Sequence, residues 1–262
     1  MKPLILLCND DGIHAAGIQI LASRLADLGE VVVVAPDRNR SASSHAITLD
    51  RPLLVAEVAP GQYSVDGTPA DCVYLGVHHV AGRKPDLVVS GINDDYNLGS
   101  DFFFSGTVAA AVEAAIHGVP AFAISLERGP SDGLGPASDF AHALAHAILA
   151  AGLPTKTLLN VNVPNRPIEG YQWTRLGERI YSDEVEVVNG QRGRRYYYCL
   201  GSAKTSDSEP PGADTTAVRS GLVSITPLDL DLTSRSLLAT LPGWRLAGFE
   251  AIMAEEGMSP PR

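Results

Sequence analysis

The chain has 262 residues, of which 45% are hydrophobic, with 20 basic and 30 acidic side chains and a formal net charge of −10. That is enough apolar sequence for one large domain, or one domain plus an appendage, and its acidic balance excludes non-specific binding to nucleic-acid duplexes or anionic membranes. The three scattered cysteines, Cys8, Cys72 and Cys199, exclude a disulfide scaffold and a thiolate zinc site. No apolar run approaches the ~20 residues that span a bilayer. The N-terminus reads as a strand rather than a signal peptide, so a cytoplasmic protein is expected.

Taken in chain order, Leu4–Cys8 is a continuous apolar run, followed by a helical pattern over Ile18–Leu28 that ends at Gly29. Val31–Ala35 is a second apolar strand, and residues 47–66 read as short antiparallel strands. A helix is predicted over Pro69–Val80 behind the N-cap candidate Thr68, then a strand over Leu87–Ser90. The pattern repeats with helix Thr107–His117, strand Ala121–Ser125, helix Ala137–Ala151 and strand Leu158–Val163. Runs that are apolar without alternation suit parallel strands buried on both faces, and their alternation with helices predicts a doubly wound, mostly parallel α/β sheet.

Beyond about residue 165 the character changes. Tyr171–Arg175 and Glu184–Leu200 read as strands or a long hairpin turning at Asn189-Gly190. Lys204–Asp214 reads as a loop, followed by a short helix near Thr215–Ser220, a strand over Leu222–Thr226 and a frayed tail, Met253–Arg262. The chain is therefore divided into a core, residues 1–165, and a C-terminal extension, residues 166–262. The extension holds Tyr171, Trp173, Tyr196, Tyr197, Tyr198, Trp244 and Phe249 but too little continuous apolar sequence for a core of its own. It is expected to pack between subunits and give at least a dimer.

Ligands of open parallel sheets bind beyond the carboxyl ends of the strands. The first strand ends in Asn9-Asp10-Asp11-Gly12, the second leads into Asp37–Ser44, and the third runs into Ser90-Gly91-Ile92-Asn93 and then Asn97. Adjacent carboxylates at a strand end repel each other unless a cation sits between them. Asp10, Asp11, Ser41 and Asn93 form a candidate all-oxygen ligand set, suited to Mg²⁺ or Mn²⁺ rather than zinc. Ser105-Gly106-Thr107 opens a helix whose free N–H groups can hold a phosphate, although Ser and Thr are also ordinary caps.

No P-loop, G-x-G-x-x-G or G-x-S-x-G motif occurs, which weighs against P-loop NTPases, dinucleotide enzymes and serine hydrolases. His142 and His146 have zinc-pair spacing, but Ala143 stands where the catalytic Glu is required. His78, His79 and His117 read as structural. Arg192, Arg194 and Arg195 beside Tyr196–Tyr198 read as one solvated face of the hairpin. A receiver domain would carry a phosphoacceptor Asp after the third strand, where this chain has Ser90-Gly91.

These motifs, with Val34-Ala35-Pro36-Asp37-Arg38, Gly67-Thr68-Pro69-Ala70-Asp71, Asn160-Val161-Asn162-Val163-Pro164 and Ser224-Ile225-Thr226-Pro227-Leu228, resemble in order and extent the survival protein E (SurE) family of metal-dependent nucleotidases. The resemblance implies a Rossmann-like core, a C-terminal part used in subunit exchange, and 5'-nucleotidase activity on nucleoside monophosphates in a homodimer or homotetramer. It also implies divalent-metal ligands at Asp10, Asp11, Ser41 and Asn93, and phosphate contacts at Asn97, Ser105, Gly106 and Thr107, with Asp10, Asp11 and Asn97 as the catalytic set. Two positions depart from the family pattern: Asp95 replaces a usual glycine, and Phe104 replaces a usual Tyr or His. An aspartyl-phosphate phosphatase and a non-catalytic nucleotide- or phosphate-binding protein remain as alternatives.

Overall fold

Strand β1 (Leu4–Cys8) is buried at every position, and its two faces meet different helix layers. Ile5 and Leu7 pack with Ile18, Leu21 and Leu25 of α1 (Ala16–Leu25) and with Ala141, Ala145 and Ile148 of α4 (Leu134–Ala151). Leu4, Leu6 and Cys8 pack with Cys72 and Val73 of α2 (Pro69–Leu75) and with Val108, Ala111 and Ala114 of α3 (Gly106–Ile116). The period of two along a strand sends alternate side chains to opposite faces, so a strand covered on both sides must be apolar throughout.

The computed structural model describes residues 2–130, 133–181, 184–191, 194–200, 203–205 and 209–244. It forms two compact units, residues 1–230 and 231–262. In the first, β1 is joined by β2 (Glu30–Pro36), β3 (Val55–Ala59), β4 (Gln62–Val65), β5 (Leu87–Asp94), β6 (Ala121–Leu126), β7 (Thr157–Val163), β8 (Gly170–Trp173) and β13 (Leu222–Asp229) in one sheet. The spatial order is β3-β4-β2-β1-β5-β6-β7-β13-β8. From β4 to β7 all neighbours are parallel, whereas β3 runs antiparallel to β4 and β13 antiparallel to β7. This is the doubly wound α/β sheet expected, with its order reversing between β1 and β5.

Chain order did not foretell how the later strands pair. β13 inserts between β7 and β8, so strands on both sides of residue 165 share one sheet. Its alternate residues Val223 and Ile225 are buried in the α1/α4 core, which supplies the apolar contact that the later sequence could not supply alone. Lys204 and Thr205, read as the start of a loop, belong instead to β12 (Ala203–Thr205), which pairs with β9 (Arg179–Tyr181). The hairpin appears as β10 (Glu184–Asn189) against β11 (Arg195–Leu200), and a short helix, α5, spans Asp214–Arg219. The helix expected over Pro69–Val80 is capped by a reciprocal Thr68–Asp71 pair and widens after Leu75 into a π-turn, Gly76–Val80. In the second unit, α6 (Arg235–Thr240) is capped by Ser234 and leads to a short 3₁₀ turn ending at Gly243. Arg192, Phe249 and Met253–Arg262 lie outside the described residues. No helix among the described residues is long and apolar enough to cross a membrane.

The loop after β2 is tied down from outside the sheet. The His45 ring meets Glu113 of α3 at 2.7 Å, His117 meets the other oxygen of Glu113 at 2.9 Å, and His78 meets His117 at 3.1 Å. Burial pushes the Glu113 carboxyl up, but the contacts from His45 and His117 together outweigh it and hold the group below its ordinary value of 4.5. A carboxylate whose pKa is depressed by folding stabilises above its unfolded value, and that contribution is lost as pH falls through the folded one. Glu113→Gln is therefore expected to flatten the acid limb of a plot of melting temperature against pH below about 4.5. An unchanged acid limb would show that the cluster does not hold the loop.

Candidate active site

The turn after β1 is closed by its own asparagine. Asn9 accepts from the Gly12 N–H at 3.1 Å and donates to the Gly12 carbonyl at 3.0 Å. Gly12 has φ 104°, a conformation that a side chain would strain. This turn leaves Asp10 buried at 4% exposure and Asp11 partly open at the carboxyl end of the sheet. The register between β5 and β6 shifts between Ser90 and Asn93, and a shift of this kind re-aims the side chains that follow. Asn93 donates its amide nitrogen to the Asp95 carbonyl at 2.7 Å, leaving its oxygen available to a cation.

A cavity of about 450 Å³ lies where these strand ends meet, and Asp10, Asp11, Ser41, Asn93, Asn97 and Ser105 all line it. Ala42 and Ser44 beside Ser41 hold left-handed conformations, φ 58° and 52°, each a strain of about 1–3 kcal/mol for a non-glycine residue. Ser44 is fastened by bonds to the carbonyls of Phe103 and Phe104. Asn97 is held from three sides. Its N–H donates to the Asn162 side chain at 2.8 Å, its carbonyl accepts from Asn160 and Asn162, and its amide donates to the Ser125 hydroxyl at 2.8 Å.

Gly106 and Thr107 lie behind Asp10 rather than in the cavity wall. A Cβ on Gly106 would stand 2.9 Å from the Asp10 Cβ and 2.9 Å from the Ser43 hydroxyl, so only glycine admits so close an approach. Thr107 is fully buried, and its hydroxyl donates to Asp10 Oδ1 at 2.5 Å. Ser105 caps α3 by accepting from the Val108 N–H at 3.1 Å.

The charges are unbalanced. Arg128 and Arg179 in the wall pair with Asp95 and Asp101, and no ion pair to Asp10, Asp11 or Asp94 occurs among the described residues. Burial pushes the Asp10 carboxyl up, against the pull of the Thr107 bond. Asp11 is pushed up to about 6, first by burial and then by the charge of Asp10. Carboxylates held in this state fit a divalent cation, which would relieve the repulsion. Among the described residues no group of three or more histidine, cysteine, aspartate or glutamate side chains is placed to hold a metal. A cation here would thus rest on two carboxylates and the neutral oxygens of Ser41 and Asn93. The buried Ser43 hydroxyl beside Gly106 has no hydrogen-bond partner among the described residues.

Sequence reasoning missed Asp101, Arg179 and Tyr181, which also line the cavity. Arg179 donates to one oxygen of Asp101 at 2.5 Å and the Tyr181 hydroxyl donates to the other. No local pattern marks these positions, because the pairing spans 78 and 80 residues of chain. His142, at zinc-pair spacing from His146, instead meets Asp27 at 3.0 Å.

A doubly wound α/β sheet with an acidic pair and a helix N-terminus at its switch point is the architecture of a phosphate-handling protein. The family model for survival protein SurE matches residues 5–183, and the chain belongs to that family. It is 50% identical over 248 residues to the 5'-nucleotidase SurE of Anaeromyxobacter sp. (strain Fw109-5), covering 94% of this chain and 97% of that one. It is 49% identical over 247 residues to the 5'-nucleotidase SurE of Geobacter metallireducens, covering 93% and 98%. The crystal structure of the SurE protein from Aquifex aeolicus superposes with a TM-score of 0.81 at 40% identity, covering 91% of this chain and 98% of that one.

Proposed function

We propose that the protein is a 5'-nucleotidase that hydrolyses nucleoside monophosphates to nucleoside and phosphate, using one divalent cation, Mg²⁺ or Mn²⁺, held by Asp10, Asp11, Ser41 and Asn93. The observation that carries this reading is the convergence of those four residues with Asn97 and Ser105 on one cavity, in a chain about half identical to 5'-nucleotidases of the family. Such a cation, when bound, supplies Lewis-acid charge to the phosphoryl group. Asp10 is fixed by Thr107 and nearly buried, so Asp11 is the carboxylate open to orient the attacking water and take its proton. The Asn97 side chain and Ser105, which line the cavity, hold the phosphoryl oxygens as charge shifts in the transition state. Gly106 lets the start of α3 come close behind Asp10.

A phosphate-release screen across nucleoside monophosphates, with each divalent metal in turn and with excess chelator, tests the reading. Release from at least one nucleotide, abolished by chelator, is the expected result. Full activity in chelator, or no release with any metal, would overturn it.

The C-terminal part, residues 166–262, is proposed to serve oligomerisation. Val185, Val187, Val188, Tyr196, Tyr197 and Tyr198 on the hairpin are each 40–60% exposed, and a concentration of apolar side chains of this size marks a contact surface. Light scattering at micromolar concentration is expected to give at least a dimer mass, falling to a monomer when Tyr196, Tyr197 and Tyr198 are replaced by serine. A wild-type monomer would rule the surface out.

A further inference from the structure

The cavity is larger than a phosphate needs. Its volume of about 450 Å³ falls among sites that enclose an organic ligand, roughly 300–1,000 Å³. One part is defined by the acidic pair, Ser41, Asn93 and Asn97, and the same wall includes Phe104 and Tyr181. On the nucleotidase reading, the substrate extends from the phosphate toward a nucleoside that needs a flat apolar surface.

Tyr181 is built for that surface. Its hydroxyl is satisfied by Asp101, yet the residue remains 40% exposed while lining the cavity. The hold on it is extensive. Asp101 is nearly buried and binds Arg179 and Tyr181 with its two oxygens. Ser100 donates to the Arg179 carbonyl at 3.2 Å. The N–H groups of Gly99 and Gly177 share the carboxylate of buried Asp214, at 2.9 and 2.8 Å. The turn that ends in Ser105 is thereby tied to β9. Burial, with Asp101 beside it, pushes the Tyr181 hydroxyl up to about 12. Phe104 is 61% exposed and has no ring contact among the described residues. A held ring loses less freedom on binding than a free one.

We propose that Tyr181 is the residue on which the substrate base stacks, with Asp101 and Arg179 as the positioning pair that holds it in the cavity wall. The proposal rests on the nucleotidase reading only for the chemistry of the ligand. It predicts a separation between nucleoside and phosphate binding.

The test uses the full chain with Mn²⁺ and two probes, adenosine and inorganic phosphate, as competitive inhibitors of turnover and as ligands in calorimetry. Tyr181→Ala is expected to raise the adenosine inhibition constant and the KM for AMP by about tenfold, as loss of one stacked base does. The constant for inorganic phosphate should stay within about twofold, because stacking does not act on the phosphoryl group. Tyr181→Phe keeps the ring and should bind adenosine more tightly than Tyr181→Ala. If Tyr181→Ala folds poorly, Tyr181→Leu keeps much of the bulk without the π face and should show the same loss.

Adenosine binding unchanged in both Ala and Leu variants would overturn the proposal. So would phosphate and adenosine constants rising together, or a loss produced by Phe104→Ala in place of Tyr181. If the wild-type protein releases no phosphate but adenosine binds calorimetrically and is lost in Tyr181→Ala, the stacking residue stands and the nucleotidase reading falls. No adenosine binding to the wild-type protein would overturn the stacking role itself.

Discussion

Replacing Asp11 with asparagine, or Asp10 with asparagine, is expected to reduce metal-dependent phosphate release by ~10²-fold or more while the protein still folds. The size follows from removing a charged oxygen ligand where no other ion pair compensates. The retained fold follows from the same electrostatics. Burial pushes both carboxyls up, and Asp11 reaches about 6 with Asp10's charge as the second cause. In the absence of a cation the charged forms therefore oppose folding, and a neutral amide of the same shape relieves that opposition. The melting temperature of each metal-free variant should equal or exceed that of the metal-free parent, whereas added Mn²⁺ should raise only the parent's. Phosphate-release assays and paired thermal melts with and without metal check both halves. Undiminished activity in either variant would remove that carboxylate from the mechanism.

Thr107→Val is expected to lower activity and metal affinity by about 10–100-fold, the usual effect of removing a group that orients a ligand. Thr107 is fully buried and donates to Asp10 Oδ1 at 2.5 Å. Valine nearly matches its shape but removes the hydroxyl donor from the nearly buried Asp10 carboxyl, at a cost of about 1–3 kcal/mol. Thr107→Ser restores the hydroxyl and should recover most of the activity. If Thr107 instead bound phosphate directly, the loss would appear in the inhibition constant for inorganic phosphate and not in metal affinity. Titration of Mn²⁺ against both variants separates the two roles.

The position of Thr107 shows where local sequence stops being informative. Ser105-Gly106-Thr107 reads as one phosphate-binding segment because all three residues open the same helix. Folding gives them different work: Ser105 lines the cavity and caps α3, Gly106 admits the backbone beside Asp10, and Thr107 faces inward to the carboxylate. Which side of a helix's first turn meets a ligand depends on the docking of that helix beside the turn after β1, where Asp10 lies 97 residues away in the chain.

What the sequence alone determined is the succession of strands and helices through Val163 and the gathering of polar residues at the ends of β1, β2 and β5. Both are written in short-range patterns: a strand buried on both faces is apolar at every position, and a ligand site in such a sheet falls where those runs stop. Tertiary structure alone decided that β13 lies between β7 and β8, that Asn160 and Asn162 grip Asn97, and that Asp101 holds Arg179 and Tyr181. The side-chain hydrogen bonds among them join residues 63 to 80 positions apart. Hydrogen bonds across such separations form only after the sheet has packed, so no window of sequence carries their signal.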